Sequence, residues 1–331
     1  MTLDATEVPG LVANLFRHSY ARVVATLVAR LGPDHLALAE DVTQEALLAA
    51  LRTWPFRGVP ADPAAWLFQA ARNGAIDRLR HESTAQRLAA RIAAEPPGTS
   101  EGEVPDEVLV LLATCAALPL PRDMVVPLAL NVVAGLSARE IARALLLEES
   151  TVAQRLVRAR RRLRAEPALV VLQREGATLV AALPAALDVV YLIFNEGFAP
   201  SRGDDPIRLD LIADAHRLAE ALAAHPATAG PAPSALAALT AFLAARLPAR
   251  AEGGVFALLP HQDRRRWDQR LIQRGFRHLQ DAIGGGRLTR FHLEAEIAAI
   301  HASAPTWDAT DWDRIAAAYD KLLAVEPSPV V

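Results

Sequence analysis

The chain predicts an all-α fold: two small helical domains, the second a helix-turn-helix, followed by a C-terminal helical extension. Three observations carry this. Apolar residues recur at helical spacing nearly everywhere, and the alternation of β-branched residues that marks strands is scarce. Clusters of Pro and Gly punctuate stretches of helical length. With 331 residues, 52% of them hydrophobic and 22% charged, the chain can bury two or three separate cores.

The first block runs from Val12 to Arg80, with helices expected near 11–31, 36–53 and 62–81. The turn Leu31-Gly32-Pro33-Asp34 separates the first two, and Pro55, Gly58 and Pro60 break the chain before the third. Pro63 suits the first turn of that helix, where a missing N–H costs nothing. In the second helix Val42, Ala46, Leu47 and Ala50 face inward, which leaves Asp41, Gln44 and Glu45 together on one solvent side. In the third, Trp66, Leu67, Ala70 and Ile76 turn inward, and Arg72, Asn73, Asp77, Arg78 and Arg80 are available outward. Residues 81–107 become acidic and rich in Pro, Gly and Ser after Arg91, which is linker composition. These features bound a domain at 1–80, a linker at 81–107, a second domain at 108–166 and an extension at 167–331.

The second domain ends in GLSAREIARALLLEESTVAQRLVRARRRLR, Gly135 to Arg164. Ser137 and Glu140 form a capping box that opens its first helix, and Ile141, Ala144 and Leu145 mark the buried side. Glu148 and Glu149 stand where a second helix begins, against the positive end of its dipole. Val152, Leu156, Ala159 and Leu163 then form one apolar stripe, opposite Thr151, Gln154, Arg155, Arg158, Arg161 and Arg162. From Thr151 to Arg164 there are six arginines and no acid. One apolar face and one cationic face let a helix pack on its own domain while pairing with phosphates and base edges. The formal net charge is only −3, so this cationic face is a local feature.

In this order and spacing the pieces resemble bacterial sigma factors of the extracytoplasmic-function type. The resemblance rests on Ala39-Glu40-Asp41-Val42-Thr43-Gln44-Glu45-Ala46, on Pro63-Ala64-Ala65-Trp66-Leu67, on Ala71-Arg72-Asn73-Gly74-Ala75-Ile76-Asp77-Arg78-Leu79-Arg80 and on the helix-turn-helix. It implies that Asp41, Gln44 and Glu45 dock on core RNA polymerase. It implies that Trp66, Arg72, Asn73, Asp77 and Arg80 meet the −10 element, with the loop from Pro55 to Pro63 receiving a flipped base. Thr151, Gln154, Arg155 and Arg158 would read the −35 element, with Arg161 and Arg162 beside them on phosphates. The acidic linker would follow the positively charged RNA path of polymerase. The partners so implied are core polymerase and promoter DNA, with no cofactor, no metal and no active site, because phosphodiester chemistry belongs to polymerase.

The extension is expected to form helices near 182–195, 206–225, 233–248, 263–284, 289–303 and 310–325. No fixed repeat period is visible. The segments Val190 to Phe198, His261-Gln262-Asp263 with Arg266-Trp267-Asp268, and Ala304-Pro305-Thr306 with Asp311-Trp312 look like a sigma-factor subgroup with a long tetratricopeptide-like extension. Such an extension would regulate the factor in cis, through intramolecular contact with the two domains or through contact with polymerase. Asn195-Glu196, Asp263 with Asp268, and His292 with Glu296 could each suggest a polar or metal site. Without a completing ligand or nucleophile they read instead as helix caps and interhelical hydrogen bonds. The lone Cys115 excludes an internal disulfide and a cysteine zinc cage. No signal-peptide pattern is present and charges interrupt the apolar runs, so a soluble cytoplasmic protein without a membrane anchor is expected. A different class stays open: a helix-turn-helix regulator whose C-terminal half senses a ligand.

Overall fold

The computed structural model describes residues 8–32, 35–81, 106–116, 118, 120–165, 176–200, 207–252, 255–284 and 287–326. They form fourteen helices by our count, α1 to α14, and a single two-residue ladder that pairs Ala251–Glu252 with Val255–Phe256. The fold is therefore all-α apart from this tight turn. The linker expected at 81–107 lies almost wholly outside the described residues. The chain divides into two compact units, residues 1–186 and 187–331.

In the first unit α1 (Val8–Leu31), α2 (Leu36–Arg57) and α3 (Pro63–His81) pack on one another. Tyr20, Val24 and Leu27 recur at helical spacing on the buried side of α1. On α2 the expected residues Val42, Ala46, Leu47 and Ala50 are all buried. On α3 the buried row is Leu67, Ala71, Ala75 and Leu79, every fourth residue, and it takes Arg72 inward with it. Pro55 does not break α2: it sits in the final turn, and the helix ends at Gly58, whose φ of 80° a side chain would strain.

The next helices are α4 (Asp106–Ala116), α5 (Arg122–Ala134), α6 (Ala138–Ala144) and α7 (Glu149–Ala165). Both α4 and α5 pack against α1, so the two sequence domains share one unit. Gly135, with φ 64°, terminates α5 in the left-handed conformation that helix ends favour. The capping box forms as expected: the Glu140 amide donates to the Ser137 hydroxyl at 3.3 Å, and the Ser137 amide donates to the Glu140 carboxylate at 2.7 Å. Leu146 makes the turn into α7 with φ 54°, a conformation that costs a non-glycine residue roughly 1–2 kcal/mol. Val152, Leu156 and Ala159 of α7 are buried against α5 and α6.

The second unit begins within α8 (Gly176–Phe198) and continues through α9 (Leu209–Ala224), α10 (Pro231–Ala245) and the short α11 (Leu247–Arg250). It ends with α12 (Gln269–Asp281), α13 (Arg290–Ser303) and α14 (Trp312–Val325). The alanine-rich α10 packs against α9, α12 and α13, and α14 closes on α13 through Ile297, Ile300, Ile315 and Ala318. One expected helix is shorter than its sequence range. Residues 259–261 and 264–266 are single 3₁₀ turns, and α12 starts only at Gln269. The reason is local: Asp263 accepts from the Arg265 amide, and Asp268 accepts from the amides of Arg270 and Leu271. Each aspartate caps a new start and prevents one continuous helix.

Two stretches contradict the expectation that charges interrupt every apolar run. Val180–Phe198 and Pro231–Arg250 have the length and apolarity of a membrane span. Within the fold 50% of the first and 72% of the second is buried, so much of each serves the packing of its own protein.

Candidate nucleic-acid interface

On the outer side of α2, Gln44 and Glu45 are exposed and Asp41 is half-buried. Arg78 of α3 donates to the Glu45 carboxylate and approaches Asp41 to 3.7 Å, which ties this acidic face to the next helix. The face continues into residues the sequence reading passed over. Leu48 is 50% exposed, and Phe56, at the end of α2, is 88% exposed. Both break the apolar stripe of α2, which is the signal by which they could have been found.

On α3, Asn73, Asp77 and Arg80 are exposed as expected. Asn73 accepts from Gln69 at 2.9 Å, and Arg80 stands 3.7 Å from Asp77. Two expected members of this surface are placed otherwise. Arg72 is only 7% exposed, because it shares the side of α3 on which Ala71 and Ala75 pack. Trp66 is half-buried and meets Trp54 of α2 edge to face, with ring centroids 5.2 Å apart.

On α7, Gln154, Arg158, Arg161 and Arg162 are exposed and Thr151 is half-buried. Arg155 leans toward α5, where its guanidinium lies 3.4 Å from Asp123. Arg160 departs from the cationic face altogether. Its guanidinium donates to both carboxylate oxygens of Glu40 on α2, at 2.8 and 3.3 Å, and to the side-chain oxygen of Asn131 on α5. Glu40 is 2% exposed and also accepts from the Tyr20 hydroxyl at 3.4 Å. Burial alone would lower the Arg160 pKa, but the hydrogen bond and charge of Glu40 outweigh it and hold the guanidinium above its ordinary range. Burial, reinforced by Glu40, pushes the Tyr20 phenol and the Cys115 thiol far up.

The exposed surfaces thus present an acidic and apolar ridge on α2, a mixed polar face on α3 and a cationic face on α7. Residues 16–84 match the Sigma-70 region 2 family, and residues 120–163 match Sigma-70 region 4. The chain belongs to the sigma-70 family, as a sigma factor of the extracytoplasmic-function type. Its function is promoter recognition and transcription initiation, in association with core RNA polymerase and promoter DNA.

This sigma factor carries a further domain. Residues 182–283 match a family of unknown function, DUF6596. An uncharacterized protein of Rhizobium meliloti (strain 1021) is 35% identical over 311 residues, which cover 90% of the sigma factor and 72% of that protein. Both halves of the sigma factor are therefore shared with this relative. No solved structure matches the chain.

In the second unit the polar residues flagged in the sequence have structural partners. His292 accepts from the Thr289 amide at 3.2 Å, taking the place of the usual glutamate in a capping box at the start of α13. Glu296 lies 3.6 Å from Arg314 of α14. Asp263 and Asp268 are caps, as described above. Glu196 is buried, and Asn195 hydrogen-bonds the Tyr191 hydroxyl. Among the described residues no group of three or more His, Cys, Asp or Glu could hold a metal ion.

Proposed function

We propose that the sigma factor docks on core polymerase through Asp41, Gln44 and Glu45 of α2. Asn73, Asp77 and Arg80 of α3 meet the −10 element, with Trp66 and Arg72 supporting that surface from within. Thr151, Gln154, Arg155 and Arg158 of α7 read the −35 element in the major groove, while Arg161 and Arg162 hold phosphates. The observation that carries this reading is the exposure of Gln44, Glu45, Asn73, Asp77, Arg80, Gln154, Arg158, Arg161 and Arg162 within segments that match Sigma-70 regions 2 and 4. Such factors are initiation subunits rather than enzymes and act in the cytoplasm, where polymerase is. Residues 167–331 are a regulatory extension that acts in cis, on the two sigma domains or on polymerase, in the manner of a tetratricopeptide-like module. Supporting this role, the extension largely coincides with a unit of its own, and the relative from Rhizobium meliloti keeps it joined to the sigma domains.

A pull-down with purified core polymerase tests the docking face. The full chain is expected to be retained, and joint replacement of Asp41, Gln44 and Glu45 by alanine to abolish retention while leaving the helical content unchanged. Equal retention of the triple variant would overturn the assignment. A helix-turn-helix regulator with a ligand sensor would bind duplex DNA without polymerase, and the match to Sigma-70 region 2 does not favour it.

A further inference from the structure

The second unit holds a cavity of about 430 Å³, within the range that takes small molecules. Its apolar lining comes from three places: Pro231 at the start of α10, Leu279 and Ala282 at the end of α12, and Ile283 and Leu288 in the turn that follows. Ala282 is buried, but Ile283 is 77% exposed and Leu288 48%. The packing of the unit therefore leaves this apolar hollow open to water. Covering it with an apolar group is favourable.

Two opposite charges line the same cavity. Glu296 of α13 and Arg314 of α14 stand side by side, with 3.6 Å between Glu296 Oε1 and Arg314 Nη2. At that distance they attract without a hydrogen bond. Their side chains are 33% and 64% exposed, so each can still take a hydrogen-bonding partner. His292 lines the cavity as well, but its Nδ1 is taken by Thr289 in the cap of α13.

A ligand suited to this lining has an apolar body for the walls and, at one end, a cation for Glu296 next to an anion for Arg314. A simple acid would meet Arg314 but be repelled by Glu296, and a simple amine the reverse. An α-amino acid carries its ammonium and its carboxylate on one carbon, as close together as Glu296 and Arg314 are. The carboxylate can take the guanidinium fork, and the ammonium can donate to the glutamate. We propose that this cavity binds a free α-amino acid with a large apolar side chain, held by Glu296 and Arg314 at its charged end and by Leu279, Ile283 and Leu288 along its body. The bound molecule touches α10, α12, α13 and α14 together. This site goes beyond the promoter-reading roles given above and does not depend on them.

Isothermal titration of the full chain with L-leucine, L-phenylalanine and L-tryptophan tests the site. Saturable binding is expected for at least one of the three, with a rise in Tm as the ligand concentration rises. For the amino acid that binds, its N-acetyl derivative lacks the ammonium and its decarboxylated amine lacks the carboxylate. Each is expected to bind more weakly by roughly tenfold or more. Glycine, without the apolar body, is expected not to bind. Glu296→Gln is expected to weaken the amino acid by a similar factor and to leave the N-acetyl derivative as it was, and Arg314→Met to spare the amine in the same way. Ile283→Asp, at an exposed position, places a charge in the apolar wall and is expected to abolish binding.

No saturable binding of any of the three amino acids at up to roughly 10 mM would overturn the proposal. So would equal binding of the N-acetyl derivative or the amine, which removes the need for both charges, and full binding by all three variants, which places the ligand elsewhere. If a variant loses its helical circular dichroism, the comparison of amino acid, N-acetyl derivative and amine on the unaltered chain decides alone. Binding is read without polymerase or DNA, so failure of the promoter-reading roles would leave this result standing.

Discussion

His301 shows how a single side chain can set a pH limit on the second unit. Its ring stacks on Trp307 and meets Trp312 edge-on, and its buried Nδ1 has no hydrogen-bond partner. Burial, with Arg246 and Arg264 adding to it, lowers its pKa from 6.5 to about 4. The unfolded chain therefore takes up a proton at this residue below about 6.5, whereas the folded chain resists until about 4. The stability contributed is fully present above the unfolded value and is lost as pH falls through this window. Melting curves at pH 7.5 and pH 5 are expected to show a smaller loss of Tm for His301→Phe than for wild type. His216 and His292, also held low by burial, contribute equally to both and cancel in that comparison. Gly197 is a second single-residue constraint. A Cβ there would stand 2.8 Å from Ile212 Cγ1, 2.9 Å from the Ile212 amide nitrogen and 3.0 Å from the Arg208 carbonyl. Glycine to alanine in a helix ordinarily stabilises, but here backbone blocks the methyl, so Gly197→Ala is expected to destabilise by roughly 1–3 kcal/mol in urea unfolding.

At the scale of the element, the roles proposed above divide the arginines of α7 between two tasks. Replacing Thr151, Gln154, Arg155 and Arg158 is expected to change which −35 sequences are preferred, measured on a panel of promoter duplexes. Replacing Arg161 and Arg162 is expected to weaken all duplexes alike and to flatten the salt dependence. Equal shifts in preference from both sets would sink the division. The stripe that makes this possible was readable in advance: Val152, Leu156 and Ala159 point inward by period alone, and the Ser137–Glu140 box announces the motif. Arg160 was not readable as a separate case. It follows Ala159 by one position, and only the presence of Glu40 from a distant helix draws it inward. Arg72 failed for a related reason, since one step of rotation in the face of α3, from Ala70 to Ala71, carries the next residue inside. The start of α12 was misplaced because Asp263 and Asp268 both offer a cap, and periodicity does not say which of two caps ends the irregular stretch.

For the whole molecule, the first unit holds both promoter-reading domains, and the second is matched in part by a family without assigned function. Deleting residues 187–331 leaves the first unit whole. That deletion is expected to change promoter-dependent transcription by purified polymerase if the extension acts in cis, and unchanged output would count against such regulation. The position of α10 bears on how the extension responds to any signal. In a simple solenoid each repeat touches only its neighbours, and ends can loosen while the middle persists. Here one alanine-rich helix is the common partner of α9, α12 and α13. Small side chains let three neighbours approach it closely, so each of the three buries apolar surface against the same helix. The second unit is therefore expected to unfold as one cooperative block, because a disturbance of α10 reaches α9, α12 and α13 together.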